Sequence, residues 1–196
     1  MYVITTERLR LRPLSTADTD WWVDLHADPE VSRFVGAYTR EQAAARLRAI
    51  EDQWEQRGHG LCAVELVATG ETIGRSGLFW WEQFDETEAG WTLARPYWGR
   101  GYATEAARAV LDWGFDRLSL PRITAMIHHG NDDSTAVARR LGFAPLREDE
   151  LLGRPLTVHV LDRADRTGRA GHAHRVGHAD CAGRAETRTD HAARQA

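Results

Sequence analysis

The sequence contains no lysine; all 25 of its basic residues are arginine. That absence removes the ε-amine as a catalytic nucleophile and as a site of self-acetylation. It also excludes a Walker-type nucleotide loop, which requires a lysine directly after its last glycine. Cysteine is nearly missing. Cys62 and Cys181 are too few for a disulfide framework and have no metal-ligand spacing, so no metal site is expected. No apolar run approaches the ~20 residues a membrane-spanning helix needs. The opening Met1-Tyr-Val-Ile-Thr-Thr-Glu-Arg8 has no basic segment followed by an apolar one, so no signal peptide is expected and the cytoplasm is the default compartment. The net charge is −4, and because residues 163–196 hold seven arginines against four acids, the acidic excess lies in the body. An acidic body disfavours nucleic acid as a partner, and its overall field fits a cationic substrate better than an anionic one.

What is present in that body is periodic. Glu7 to Leu14 alternates, with Leu9 and Leu11 on one face, and reads as a half-buried strand. Ser15 and Asp18 begin a helix that Asp28-Pro29 interrupts. Thr39 and Gln42 form a capping box, and Ala43, Leu47, Ile50 and Trp54 then make one helical stripe that ends near Gly58. Residues 60–68 and 72–81 read as a hairpin around Thr69-Gly70-Glu71. A strand over 87–94 then enters Pro96-Tyr-Trp98-Gly99-Arg100-Gly101-Tyr102-Ala103-Thr104-Glu105, after which Ala106, Ala107, Val110, Leu111, Gly114 and Phe115 recur at helical spacing. Arg122 to His128 reads as a strand parallel to 87–94, with that helix as the crossover. A capped helix runs from Asn131 to Leu141, and two strands near 144–149 and 155–162 close an antiparallel edge. From Arg163 onward large apolar residues almost vanish. The expectation is one domain over 1–162 and a disordered tail over 163–196, in which His172, His174 and His178 read as part of a polar low-complexity stretch.

A strand that runs into a glycine-bearing turn and then a helix gathers free N–H groups at the positive end of a helix dipole, a place for a phosphate. Gly99 and Gly101 let an anion approach the backbone, and Arg100 adds charge. Together with Asn131…Ser134…Leu141-Gly142-Phe143, this stretch resembles the GNAT superfamily of N-acetyltransferases, closest to the ribosomal-protein N-terminal (alanine/serine) acetyltransferase branch. The phosphate loop of that superfamily reads Gln/Arg-x-x-Gly-x-Gly/Ala. Trp98 departs from its first position, in a form familiar within that branch. The resemblance covers roughly residues 5–162.

The resemblance implies a mixed α+β fold: a central, mostly antiparallel sheet whose parallel middle strands splay apart, flanked by helices. It implies acetyl-CoA as co-substrate. The pyrophosphate would bond N–H groups from Gly99, Arg100, Gly101, Tyr102, Ala103 and Thr104. The pantetheine arm would pair with the backbone of Trp91, Thr92 and Leu93, and an N–H near Leu93 would polarise the thioester. Asn131 would bond the arm or fix the next helix. Glu88 is the leading candidate base, with Glu82, Asp85 and Glu86 behind it and His128 and His129 read as ordinary loop residues. The usual tyrosine acid is replaced by Ala138, which leaves Ser134 as either the acid or a helix cap. Trp21, Trp22, Phe34 and Tyr38 either line the acceptor cleft or pack the core. The implied activity is direct acetyl transfer to a primary amine, of a protein N-terminus or a small molecule, with a homodimer left open. The alternative is a non-catalytic acyl-CoA-binding regulatory protein on the same fold.

Overall fold

A computed structural model describes residues 3–151 and 153–166. Strands β1 (Ile4–Thr5), β2 (Leu9–Pro13), β3 (Leu61–Leu66), β4 (Thr72–Trp81), β5 (Glu86–Leu93), β6 (Arg122–His128), β7 (Ala144–Leu151) and β8 (Arg154–Asp162) form one sheet in the order β1-β2-β3-β4-β5-β6-β8-β7. Every neighbouring pair is antiparallel except β5–β6, which is parallel. That parallel pair has a single point of register, Glu88 opposite Thr124. Beyond it the two strands separate toward their carboxyl ends, and the sheet opens into a cleft.

Helices α1 (Thr19–Ala27), α2 (Pro29–Val35), α3 (Arg40–Arg57), α4 (Tyr102–Arg117), α5 (Asp132–Leu141) and α6 (Arg163–Arg166) cover the sheet. Alternation along β3 divides the core in two. Cys62 and Val64 point to the side of α4 and α5, where Val110, Leu111, Phe115 and Leu141 are buried. Leu61 and Ala63 point to the side of α1 and α3, where Trp22, Leu47 and Ile50 are buried. The Thr39–Gln42 capping box forms, and Gly58 ends α3 in the left-handed region. Trp54, the last residue of the expected stripe, is only partly buried and donates its indole N–H to the Leu61 carbonyl at 3.0 Å. Burial pushes the Cys62 thiol up to about 12, so it stays a neutral packing group.

The differences from expectation are local. A short β1 pairs with β2, and a two-residue strand carries too little pattern to be read from sequence. Thr16–Asp18 is a 3-10 turn before α1, held by the Asp18 carboxylate, which accepts from Ser15 N–H at 2.9 Å and from Arg12 at 2.7 and 2.9 Å. The last strand, β8, sits inside β7 and pairs along its length with β6.

The domain boundary also moves. Arg163–Arg166 is helical, and the Arg163 guanidinium donates to the carbonyls of Phe115, Leu118 and Leu120 at 2.7, 2.6 and 2.9 Å. Those carbonyls end α4 and begin the following break. Such groups lack helical partners, and a cation there also suits the helix dipole. The packed domain therefore continues past 162 to Arg166. The rest of the expected tail, with its three histidines and Cys181, lies outside the described residues.

Candidate active site

A cavity of about 1870 Å³ runs along α4 and takes in the cleft opened by the splay. Its walls include Trp91, Thr92 and Leu93 of β5, the turn from Tyr97 to Glu105, Asn131 to Ser134 at the start of α5, and Phe34 of α2. At its mouth lies the amino end of α4. Gly101 is the N-cap residue and no side chain caps the helix, so the first-turn N–H groups are left to a ligand. Gly99 has φ +71° and Gly101 φ +81°, values that strain any residue with a Cβ. Their requirement is conformational. A Cβ at Gly99 would meet no protein atom within 4 Å, and one at Gly101 only Arg8 Nη2 at 3.6 Å, so both look onto open space.

A strap that sequence reasoning missed holds this turn. Glu105 sits in the first turn of α4, where its charge would compete with an anion. Its carboxylate is occupied: it accepts from the Thr6 hydroxyl at 2.5 Å, from Arg8 N–H at 3.2 Å and from Arg8 Nε at 2.7 Å. Arg8 also donates to the Arg100 carbonyl at 3.2 Å and stacks on the Tyr102 ring at 4.4 Å. One arginine thus neutralises the nearest acid and takes up a carbonyl of the turn. The partners are about a hundred residues apart, and nothing in local spacing joins them.

The departure at Trp98 has a physical role as well. Its indole N–H donates to the Leu93 carbonyl at 2.7 Å, tying the turn to the end of β5. Along β5 the backbone groups alternate in direction. Ala94 N–H bonds the Ile73 carbonyl at 2.9 Å, and Thr92 lies opposite Arg75. Thr92 therefore spends its main chain on β4, whereas Trp91 and Leu93 direct theirs to the splayed edge. Of the three residues expected to pair with a ligand backbone, two face the cleft. Thr92 is one of the residues around the cleft, and its Oγ1 is buried with no partner among the described residues.

Glu88 lies at the root of the splay, where β5 parts from β6. Its carboxylate accepts from the Trp81 indole at 2.5 Å and from Met126 N–H at 3.3 Å. The second bond satisfies a β6 donor that the departing β5 leaves unpaired. Burial raises the Glu88 pKa above the ordinary glutamate value, while Trp81, Met126 N–H, Arg75 and Arg46 pull it back. The other acids lie elsewhere. Glu86 is held by Arg147 at 2.8 and 3.2 Å, and Glu82 and Asp85 sit in an exposed 3-10 turn. His129 meets Glu148 at 2.6 Å and His128 faces the Pro155 carbonyl at 3.3 Å, both away from the cleft.

Asn131 is the N-cap of α5, its side-chain oxygen accepting from Ser134 N–H at 3.2 Å. The cap role belongs to Asn131 and not to Ser134, a residue of the cleft wall whose hydroxyl has no hydrogen bond among the described residues. Ala138 is fully buried.

The aromatic residues separate into two roles. Trp21 packs, donating to the Thr72 carbonyl at 3.1 Å. Phe34 lines the cleft. Trp22 stacks on His26 at 4.6 Å, and Tyr38 meets both rings edge-on. Two arginines went unremarked in the sequence: Arg46 over the Phe79 ring at 4.1 Å and Arg75 over the Trp22 ring at 5.3 Å.

A sheet split at one parallel pair, with an uncapped helix at the mouth, makes a cleft suited to an anionic ligand. The acetyltransferase (GNAT) domain family model matches residues 8–144, and the chain belongs to that family. It is 31% identical over 147 residues to the uncharacterized N-acetyltransferase p20 of Bacillus licheniformis, covering 73% of this chain and 83% of the relative. An acetyltransferase structure from Agrobacterium tumefaciens superposes with a TM-score of 0.74 at 36% identity, covering 83% of this chain and 95% of its own. The fold also matches RimL, a ribosomal L7/L12 α-N-protein acetyltransferase in complex with coenzyme A, with a TM-score of 0.69 at 16% identity over 82% of this chain and 97% of its own.

Proposed function

We infer that the protein is an acetyl-CoA-dependent N-acetyltransferase that acetylates a primary amine by direct attack within a ternary complex. The observation that carries this reading is the pairing of two features around one cleft. An uncapped helix end with two positive-φ glycines lies at the mouth, and a strand edge with unpaired N–H groups forms the inner wall. The first suits a diphosphate and the second an amide-bearing arm, and the two belong together in coenzyme A.

Bound acetyl-CoA supplies an activated thioester carbonyl. The N–H groups from Gly99 to Thr104 hold its diphosphate, and Arg100 adds a cation beside it. Trp91 and Leu93 hold the arm in the manner of an added strand. The Thr92 hydroxyl and the amide NH₂ of Asn131 are further donors along the same wall. Leu93 N–H is placed to polarise the carbonyl oxygen, a contribution whose loss costs about 100-fold or more in rate. Its carbonyl is held back by Trp98, so the strand end presents a donor and not an acceptor.

Glu88 takes the proton of the amine. Its raised pKa brings it closer to the ammonium form it must deprotonate. It stands behind the cleft wall, so one water relays the proton. The Ser134 hydroxyl, free of the cap role, returns a proton to the departing thiolate.

Calorimetry with acetyl-CoA, followed by thiol release with an amine panel, tests the reading. Binding and turnover are expected. Glu88→Gln should keep binding while turnover falls by about 100-fold or more. Binding without turnover on any amine would instead favour a regulatory acyl-CoA-binding protein. Absence of binding by folded protein would remove both readings. Ser134→Ala should lower turnover well beyond any change in stability; an unchanged rate would return Ser134 to a packing role.

A further inference from the structure

The side chains next to Glu88 carry more positive charge than the fold accounts for. Alternation places Arg75, Phe79 and Trp81 of β4 on the same sheet face as Glu88 and Thr92 of β5. α3 adds Arg46 to that face, and α1 with the loop before α3 adds Trp22, His26 and Tyr38. Neither arginine forms a salt bridge with any described residue, although eight other arginines among the described residues pair with carboxylates. Arg75 Nε is buried with no hydrogen-bond partner. Both guanidiniums act on Glu88 through space, yet neither closes to contact. One carboxylate thus faces two partly buried cations that lie over aromatic rings, a local excess of positive charge that a further anion would complete. The net charge of the whole chain, which is acidic, has the opposite sign to this cluster.

We propose that the acceptor is a small amine that also bears a carboxylate, in the manner of a free amino acid, with Arg75 and Arg46 binding the carboxylate while the amine lies toward Glu88. The inference rests on the acetyltransferase reading and names the substrate class of that same site. The walls favour a small molecule. Trp22, His26 and Tyr38 pack against one another at 4.6 to 5.7 Å between ring centroids and crowd the face that carries Arg75. A peptide amino terminus would place a neutral amide where the carboxylate is needed.

The test compares free amino acids with their carboxamides, plain alkylamines and short peptides in thiol release from acetyl-CoA. At least one free amino acid should exceed its carboxamide by about 30-fold in kcat/KM, the worth of a charge-assisted contact. Arg75→Met and Arg46→Met, which keep the packing stems, should each cut that ratio several-fold without changing acetyl-CoA affinity. Should no amine turn over, tryptophan-fluorescence titration with N-acetyl amino acids and their carboxamides decides. Acids should bind at least about 10-fold tighter to the native chain and lose that advantage in both variants. Equal behaviour of acid and amide, a preference for peptides, or a preference that survives both substitutions overturns the proposal. Acetyl-CoA calorimetry run alongside separates the two levels. Heat without carboxylate preference sinks the substrate class alone; no heat sinks the acetyltransferase reading and this inference with it.

Discussion

Replacing Gly101 by alanine should weaken acetyl-CoA binding far more than it weakens the fold. The residue sits at φ +81°, where an L side chain costs about 1–2 kcal/mol. No clash adds to this, because the nearest protein atom to the new Cβ is Arg8 Nη2 at 3.6 Å. For a chain of this length that strain lowers Tm by roughly 2–8 °C. The ligand effect is separate. A methyl group in the mouth of the turn stands where the diphosphate must approach, and a turn that relaxes from positive φ redirects the N–H groups beyond it. Loss of even one charge-assisted contact weakens binding by about 10-fold or more. Gly70→Ala is the matched control. Gly70 has φ +73° and open space around its Cβ, and it lies in the β3–β4 turn. Thermal melts and calorimetry on both variants separate the terms. The melts should drop alike, and only Gly101→Ala should lose affinity. Equal acetyl-CoA affinity in the two would refute the reasoning.

Glu88→Gln should be no less stable than the native chain at neutral pH, and more stable if the indole bond survives. A carboxyl with a raised folded pKa favours folding while protonated and loses that contribution as pH rises through the folded value; a melt series across pH reads this directly. The activity of the native enzyme should rise with pH through an apparent pKa above that of an ordinary glutamate, and Glu88→Gln should lose that limb. His26 has the opposite sign. Burial and Arg75 push it down to about 4 from 6.5, so between those values the unfolded chain binds the extra proton and stability falls as pH drops, by about 3 kcal/mol at most. His26→Phe should flatten the acid side of the stability curve. Arg163→Ala, which strips three carbonyls in the last turn of α4 and the break after it of their donor, should cost about 1–3 kcal/mol, and lysine there should recover only part, since it lacks the planar fork.

The turn at Gly99–Gly101, the Thr39–Gln42 capping box and the parallel crossover were legible because each is written in contiguous residues with a fixed local geometry. Glu88 was legible as a candidate from its position on the strand entering that turn. The rest depends on contacts between distant segments. Thr6 and Arg8 reach Glu105 across the sheet, and no spacing encodes that. Arg75 alternates with small and polar residues in Thr72-Ile-Gly-Arg-Ser-Gly77, which reads as an outward position; it turns inward because α1 covers that face. Arg46 resembles a solvated helix residue for the same reason. The boundary at 162 came from composition alone, and composition does not register that one arginine can cap a helix fifty residues earlier in the chain.

The central claim is that main-chain donors around residues 99–104, and on the free edge of β5, hold coenzyme A. Amide NMR during an acetyl-CoA titration tests it directly. Large shifts are expected at the N–H groups of Gly99 to Thr104 and at those of Trp91 and Leu93, with Thr92 N–H, committed to β4, and Gly70 nearly still. Shifts gathered elsewhere, or a Thr92 amide moving as far as its neighbours, would contradict it.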